Sequence, residues 1–307
     1  MSVLVVGSIA YDTVDTPVGG VVDELGGSAI YGALACQFHL NNQQSGQTKI
    51  VGVVGEDFAD KDLNMLRSKS VDTDGIEVAD GQTFRWSGSY KGSMDVAETR
   101  ATHLNVFETF EPKIPSAYIP SEIVFCANLH PSIQSSVLDQ ATANRCTILD
   151  SMNLWIAIAK EQLGNVMSRA DLIIINDAEL KQYTNTSTID EGIESLRDEL
   201  GEKILVIKKG SQGSVGWCNG TFIHLPAHLQ TQPIDPTGCG DSFAGTMAAY
   251  LSLQQGDITV DEVRQAMIHA TVTASMNLTA FGTRALQQLT VDEYQQQLDT
   301  YVASINL

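Results

Sequence analysis

The chain has 307 residues, 43% hydrophobic and 18% charged, the composition of a folded protein rather than a disordered or collagen-like one. Eighteen Lys and Arg against 37 Asp and Glu give a formal net charge of −19, which argues against nucleic acid and against anionic membrane surfaces as partners. The five cysteines, at positions 36, 126, 146, 218 and 239, include no Cys-x-x-Cys pair; an odd count without that spacing points away from a disulfide scaffold or thiol-rich zinc site and toward a reducing cytoplasm.

From the start of the chain, Val3 to Val6 reads as a short strand. It is too short for the apolar core of a secretory signal, and the first basic residue is Lys49, so no positive leader is expected. No apolar run approaches the ~18 residues of a membrane span. Residues 13–24, with Pro17 and Gly19-Gly20 between valine pairs, read as a hairpin. Gly26-Gly27 opens a helix with Ile30, Leu34 and Phe38 at helical spacing, Ile50 to Val54 is the next strand, and Phe58 to Ser70 reads as a helix. Residues 83–107 alternate apolar and polar without helical period and read as antiparallel strands, and the three prolines within 111–120 mark a connection back. Ile123 to Cys126, Thr147 to Leu149, Leu172 to Ile175 and Ile204 to Ile207 are further buried strands, most followed by helical segments, and Leu154 to Ala159 has the length of a core element. Residues 241–253, 261–276 and 291–302 are helical. Strands alternating with helices indicate a three-layer α/β fold with a mostly parallel central sheet. The two β stretches fit no βα layer and are expected to form a small antiparallel β lid, about 12–24 and 83–107, on one domain spanning 1–307.

The sharpest motif is Asp235-Pro236-Thr237-Gly238-Cys239-Gly240-Asp241, directly before a helix. Small residues at 238–240 let the backbone approach a ligand, and their amides lie at a helix N-terminus, which favours an anion. A carboxylate beside such a cradle does not bind the anion, since like charges repel; Asp241 makes sense as a general base that takes the proton of an attacking hydroxyl. The alternative is a glycine-rich turn with an aspartate capping a helix. No Gly-Lys dipeptide occurs, so there is no Walker A loop, and Gly238 and Gly240 lack the third glycine of a dinucleotide fingerprint.

This segment, continuing through Ser242-Phe243-Ala244-Gly245, resembles the C-terminal signature of the ribokinase-like (PfkB) carbohydrate kinases. Four other motifs are similar to that family's and occur in its order: Gly26-Gly27, residues 54–58, Asn176-Asp177-Ala178-Glu179, and Lys208-Lys209-Gly210-Ser211-Gln212-Gly213. The resemblance implies phosphoryl transfer from ATP to a hydroxyl of a sugar-like molecule. Asp241 then matches the catalytic base, and the amides of Gly238, Cys239 and Gly240 match the anion hole. Asn176 and Glu179 match the motif that organises Mg²⁺, through water at Glu179, and Lys208, Gly210 and Gly213 match positions beside the nucleotide. Asp235 and Gly282 match the region where some members hold a monovalent cation. Asp12, Gly26 and Gly27 match the sugar side, and Asn105, Asn128 and Asn153 lie near predicted strand ends facing it. Lid contact between two copies, as in some relatives, would make a homodimer.

Two departures qualify the resemblance. Tyr31 stands where many members carry an asparagine, which argues against ribose itself and leaves room for a nucleoside, since an aromatic ring packs a base or ribose face. Cys239 replaces a usual alanine: it is either simply small or, at a helix N-terminus, a thiol of lowered pKa and a redox sensor. Arg85, Lys91 and Arg100 in the lid are read as surface ion-pairing residues rather than substrate ligands. A catalytically silent sugar-binding sensor is the remaining alternative, and the complete anion-hole motif argues against it.

Overall fold

The computed structural model describes residues 1–44, 46–92, 94–230 and 232–305; positions 45, 93, 231, 306 and 307, which belong to the expected domain span and, at 93, to the expected lid, lie outside them. The large sheet contains β1 (Ser2–Val6), β4 (Gln47–Gly55), β5 (Asp72–Ala79), β8 (Ser121–Cys126), β9 (Ala143–Asp150), β10 (Leu172–Asn176), β11 (Ile204–Lys208), β12 (Ser214–Cys218) and β13 (Thr221–Leu225). Their order is β13-β12-β11-β10-β9-β8-β1-β4-β5. All neighbours from β5 to β11 run parallel, and only β12 and β13 are antiparallel.

The parallel strands are apolar on both faces, as a sheet covered by helices on both sides requires. Alternate residues of β10 divide between two cores. Leu172 and Ile174 join Val5, Ile50, Ile148 and Val206 in a cluster with Leu34 of α1 (Ser28–Asn42), Met247 of α8 (Cys239–Ser252), Val263 of α9 (Val260–Asn277) and Tyr301 of α11 (Val291–Ser304). Ile173 and Ile175 join Leu149, Leu205 and Ile207 against Leu163 of α5 (Lys160–Met167), Leu180 of α6 (Asp177–Thr184) and Leu196 of α7 (Ile189–Leu200).

The small sheet is built from β2 (Ala10–Thr16), β3 (Gly19–Gly26), β6 (Phe84–Tyr90) and β7 (Ala97–His103), in the order β3-β2-β6-β7. The β2–β3 and β6–β7 pairs are antiparallel, but β2 and β6 run parallel. The two halves come from distant parts of the chain, and each entered the sheet in the same direction, which local patterning does not specify. A second difference concerns residues 154–159. In α4 (Asn153–Ile158) only Ile156 is buried, with Ala159 just beyond it, whereas Leu154 is 43% and Ile158 65% exposed. This apolar run is a surface helix, not a core element.

Because β1 and β8 to β11 are parallel, their C-terminal ends share one edge. That edge presents Asp150, Asn176 and Lys208 together, and β1 leads there into β2 and Asp12. Ligands of open α/β sheets bind at such an edge.

Candidate active site

The turn before α8 is held in an unusual shape. Gly238 caps the helix with φ 73, and a methyl group placed on it would meet the Tyr31 ring at 2.2 Å. Only glycine fits a left-handed position pressed onto a ring. Tyr31, 1% exposed, therefore buttresses the turn with its ring instead of offering a face to a base or ribose, and its buried hydroxyl has no partner among the described residues. The Cys239 amide donates to the Pro236 carbonyl at 3.2 Å. The amides of Gly238 and Gly240 have no acceptor among the described residues, so they are the open donors of this helix start. The turn is tied down on both sides: Asn277 Nδ2 donates to the Thr237 carbonyl at 2.9 Å, and Thr237 Oγ1 donates to the Tyr90 hydroxyl of β6 at 3.3 Å.

Asp241, in the first turn of α8, has its carboxyl raised from 3.8 to about 7 by burial and by the Asp150 carboxylate, against the pull of Lys208. Lys208 Nζ lies 3.1 Å from Asp150 Oδ1, an ion pair whose side chains are 18% and 5% exposed. Burial works against the Lys208 ammonium, but Asp150, Glu179 and Asp241 outweigh it and hold it charged. Asp150 also accepts the Ser151 amide at 3.0 Å. Asp150 was not among the expected site residues; the available signal was a carboxylate ending an apolar strand on the edge where sites form.

In β2, Asp12 is 5% exposed. Burial, then Asp235, raises its carboxyl to about 8, with Asp241 adding to the rise, while a hydrogen bond from the Gly27 amide opposes it. Gly26 faces the Asp12 carboxylate directly, and Gly27 caps α1 with φ 95, packed over the Ser8 carbonyl. Asp12, Tyr31, Tyr90, Asp235, Cys239 and Asp241 thus share one electrostatic neighbourhood.

At the end of β10, Asn176 and Glu179 form a reciprocal cap on α6: Asn176 Oδ1 accepts the Glu179 amide at 2.8 Å, and Glu179 Oε2 accepts the Asn176 amide at 2.7 Å. Burial raises the Glu179 carboxyl to about 7 despite Lys208. A buried carboxylate with one oxygen committed and its charge undercompensated suits a hydrated cation. No cluster of three or more metal-ligating side chains occurs among the described residues, and Mg²⁺, which keeps its waters, needs none. Gly210 and Gly213 shape the turn after β11, where the Lys209 amide donates to the Gly213 carbonyl at 2.8 Å. Asp95 of the small sheet's loop lies over Gly210.

The side chains of the remaining expected residues are engaged as follows. Asn105 gives its side-chain amide to the Thr83 carbonyl at 2.9 Å, Asn128 accepts the Trp155 indole N–H at 2.9 Å, and Asn153 is exposed at the start of α4. The oxygens of Asp235 each accept an amide at 2.9 Å, from Thr237 and Gly282, so Gly282 turns a donor toward the carboxylate and the pair does not by itself form a cation cage. The Cys239 thiol is pushed up to about 12 by burial and donates to the Ala274 carbonyl at 3.3 Å; desolvation overrides the helix terminus, which removes the basis for a reactive thiolate. Arg85 pairs with Asp23 and Asp57, Lys91 with Glu98, and Arg100 with Asp15.

The chain is a phosphotransferase with an alcohol group as acceptor, built on a ribokinase fold that carries a glycine-rich helix start and a half-buried carboxylate beside it. The chain belongs to the pfkB family of carbohydrate kinases, whose model matches residues 2–289. It is 26% identical to a cytidine kinase of Thermococcus kodakarensis over 256 residues, 81% of this chain and 88% of that one. It is 28% identical over 134 residues to a nucleoside kinase of Methanocaldococcus jannaschii, 43% of this chain and 42% of that one. Among solved structures, that nucleoside kinase superposes with a TM-score of 0.74 at 19% identity, covering 97% of this chain and 98% of that one. A fructokinase from Vibrio cholerae with fructose, ADP and calcium bound superposes with a TM-score of 0.74 at 18% identity, with the same coverage. No helix among the described residues is long and apolar enough to cross a membrane.

Proposed function

We propose that the protein transfers the γ-phosphoryl group of ATP to a hydroxyl of a sugar or sugar-like small molecule, with Asp241 as general base. The observation that carries this reading is the placement of the Asp241 carboxylate at the start of α8, beside open amides and within the field of Asp12 across the site. The acceptor hydroxyl, held by Asp12 and the Gly26-Gly27 backbone, gives its proton to Asp241. Its oxygen bonds to the γ-phosphorus as the bond to the β-phosphate oxygen breaks, and ADP leaves with that electron pair. The amides of Gly238 and Gly240 receive the phosphoryl oxygens, with that of Cys239 shared with Pro236. Bound Mg²⁺ would neutralise phosphate charge, held through water by Glu179 with Asn176 beside it. Lys208, Gly210 and Gly213 border the nucleotide. The small sheet acts as a lid that excludes water, and five unpaired cysteines support a cytoplasmic setting.

A nucleoside is the second reading of the acceptor. It draws support from the extent of the match to the cytidine kinase, 88% of that chain, against 32% for a tomato fructokinase. The test is a coupled assay of Mg-ATP turnover with sugars, sugar acids, polyols and nucleosides. Asp241→Asn should lower kcat by about 10²–10⁴-fold, the usual worth of a general base, with ATP binding retained. Near-normal turnover in that variant refutes the role, and a wild-type protein inert toward the whole panel favours a silent sensor.

A further inference from the structure

We propose that Lys208 is a catalytic cation that contacts the transferring phosphoryl group, and that Asp150 is the positioning residue that holds it at the anion hole. The proposal rests on the kinase reading above and adds to it a partner for the phosphate and a residue behind that partner.

Lys208 ends β11 and Asp150 ends β9, with β10 between them. The lysine side chain crosses the intervening strand end to reach Asp150 at 3.1 Å. On the way its tip runs along the start of α8: a methyl group on Gly240 would lie 3.0 Å from Nζ and 3.8 Å from Cε. A helix N-terminus is the wrong place for a cation, because the dipole and the open amides there are already positive. Two positive features side by side and mostly out of water repel one another unless an anion joins both. The Asp150 carboxylate compensates the ammonium but does not face the α8 amides with an oxygen: no hydrogen bond joins them among the described residues. Asp241 in the first turn of α8 also compensates the ammonium, yet neither carboxylate accepts the Gly238 or Gly240 amide among the described residues, and a phosphoryl group seated on the Gly240 amide joins both positive features directly.

Asp150 is fixed for the positioning task. Its carboxylate accepts the Ser151 amide, and its own carbonyl accepts Gln134 Nε2 at 2.8 Å. Gln134 is fully buried and also donates to the Ala127 carbonyl at 2.9 Å. The lysine is thus drawn to a fixed point, and it can swing from one Asp150 oxygen toward a phosphate without leaving the site. Lys208 keeps its proton throughout. It stabilises charge on the phosphoryl oxygens while Asp241 takes the hydroxyl proton, a division of labour that preorganised cations commonly perform in phosphoryl transfer.

The experiment compares wild type, Lys208→Met, Lys208→Arg, Asp150→Asn and Asp150→Glu. ATP and ADP binding are measured by calorimetry with Mg²⁺, and steady-state kinetics with whichever acceptor of the panel turns over. A lost charge-assisted contact to the terminal phosphate should weaken ATP binding by roughly 10-fold or more in Lys208→Met and ADP by under about 3-fold, and Lys208→Arg should restore most of the difference. Asp150→Asn should lower kcat by about 10-fold with the acceptor KM little changed, and Asp150→Glu should recover part of it. Equal weakening of ATP and ADP in a folded Lys208→Met, or unchanged kcat in Asp150→Asn, overturns the proposal. Should Lys208→Met fail to fold, ATP-over-ADP discrimination in Asp150→Asn decides by the same criterion. Should no acceptor turn over in the wild type, the kinase reading falls, while the ATP-over-ADP arm still decides whether Lys208 holds the terminal phosphate.

Discussion

Replacing the proposed base should make the protein more stable as it makes it inactive. The Asp241 carboxyl is raised from 3.8 to about 7, by burial first and then by Asp150. A carboxylate whose folded pKa lies above its unfolded one binds its proton more tightly in the native state, so its ionised form destabilises the fold above about pH 7 and the penalty fades as pH falls toward the unfolded value. Three pH units correspond to about 4 kcal/mol. Asp241 keeps part of its surface open to the site, and solvent screening trims the figure to about 2 kcal/mol. Asp241→Asn carries no such charge. Urea unfolding should therefore show the variant more stable than wild type by about 2 kcal/mol near pH 8, with the gap falling below about 1 kcal/mol near pH 5. An Asn variant less stable than wild type near pH 8, or a gap independent of pH, would refute the reasoning about burial.

Three other perturbations separate packing from chemistry. Gly238→Ala adds a methyl group at φ 73 that meets the Tyr31 ring, so it should cost about 2–4 kcal/mol of stability from backbone strain and overpacking together; Tyr31→Ala should relieve part of that cost, seen as a coupling of at least about 0.5 kcal/mol in a double-mutant cycle. Glu179→Gln retains an acceptor for the Asn176 amide and so the cap; stability should change by under about 0.5 kcal/mol while the Mg²⁺ needed for half-maximal turnover rises by about 10-fold or more. His39, buried against His269 and Tyr294 and hydrogen-bonded to Thr273, is lowered from 6.5 to about 3 by burial and then by His269. The unfolded chain gains its proton first as pH falls, so stability is lost below about pH 6.5, by about 2 kcal/mol at about pH 5, and a urea-midpoint comparison should find that share missing in His39→Gln.

The parallel sheet was legible because most of its strands carry a short continuous apolar run, a signal that survives without tertiary information. Val3 to Val6 and Leu172 to Ile175 stand out for that reason. Strand β5 did not: Asp72–Ala79 carries Asp72, Asp74 and Glu77 on an edge strand that faces solvent, so it lacks the continuous apolar run. The parallel pairing of β2 with β6 was not legible either, since the register joins Asp12 to Trp86, 74 positions apart in the chain. Motif residues divide in the same way. Those whose proposed role lies in the backbone, such as Gly238 and Gly240, were visible as glycines in sequence. Those whose role depends on where a side chain ends up were not: Asn105 is drawn to the Thr83 carbonyl and Asn128 to the Trp155 indole, while Asp150 reaches the site by closing an ion pair with a lysine 58 residues away.

The acidity noted at the outset takes on a local meaning at the site. Asp12, Asp150, Glu179, Asp235 and Asp241 converge there with Lys208 as the cation among them, and burial raises all five carboxyls. Such a cluster repels a bare triphosphate and is relieved by any cation that arrives with it. On the proposed kinase reading, two devices would reconcile the site with a nucleotide: the open amides of α8, which would attract phosphate without a formal charge, and a hydrated divalent ion brought by the nucleotide itself, which would answer the undercompensated Glu179. An acidic protein would thereby gain selectivity, because free phosphate or nucleotide without its metal would meet the repulsion and the metal complex would not.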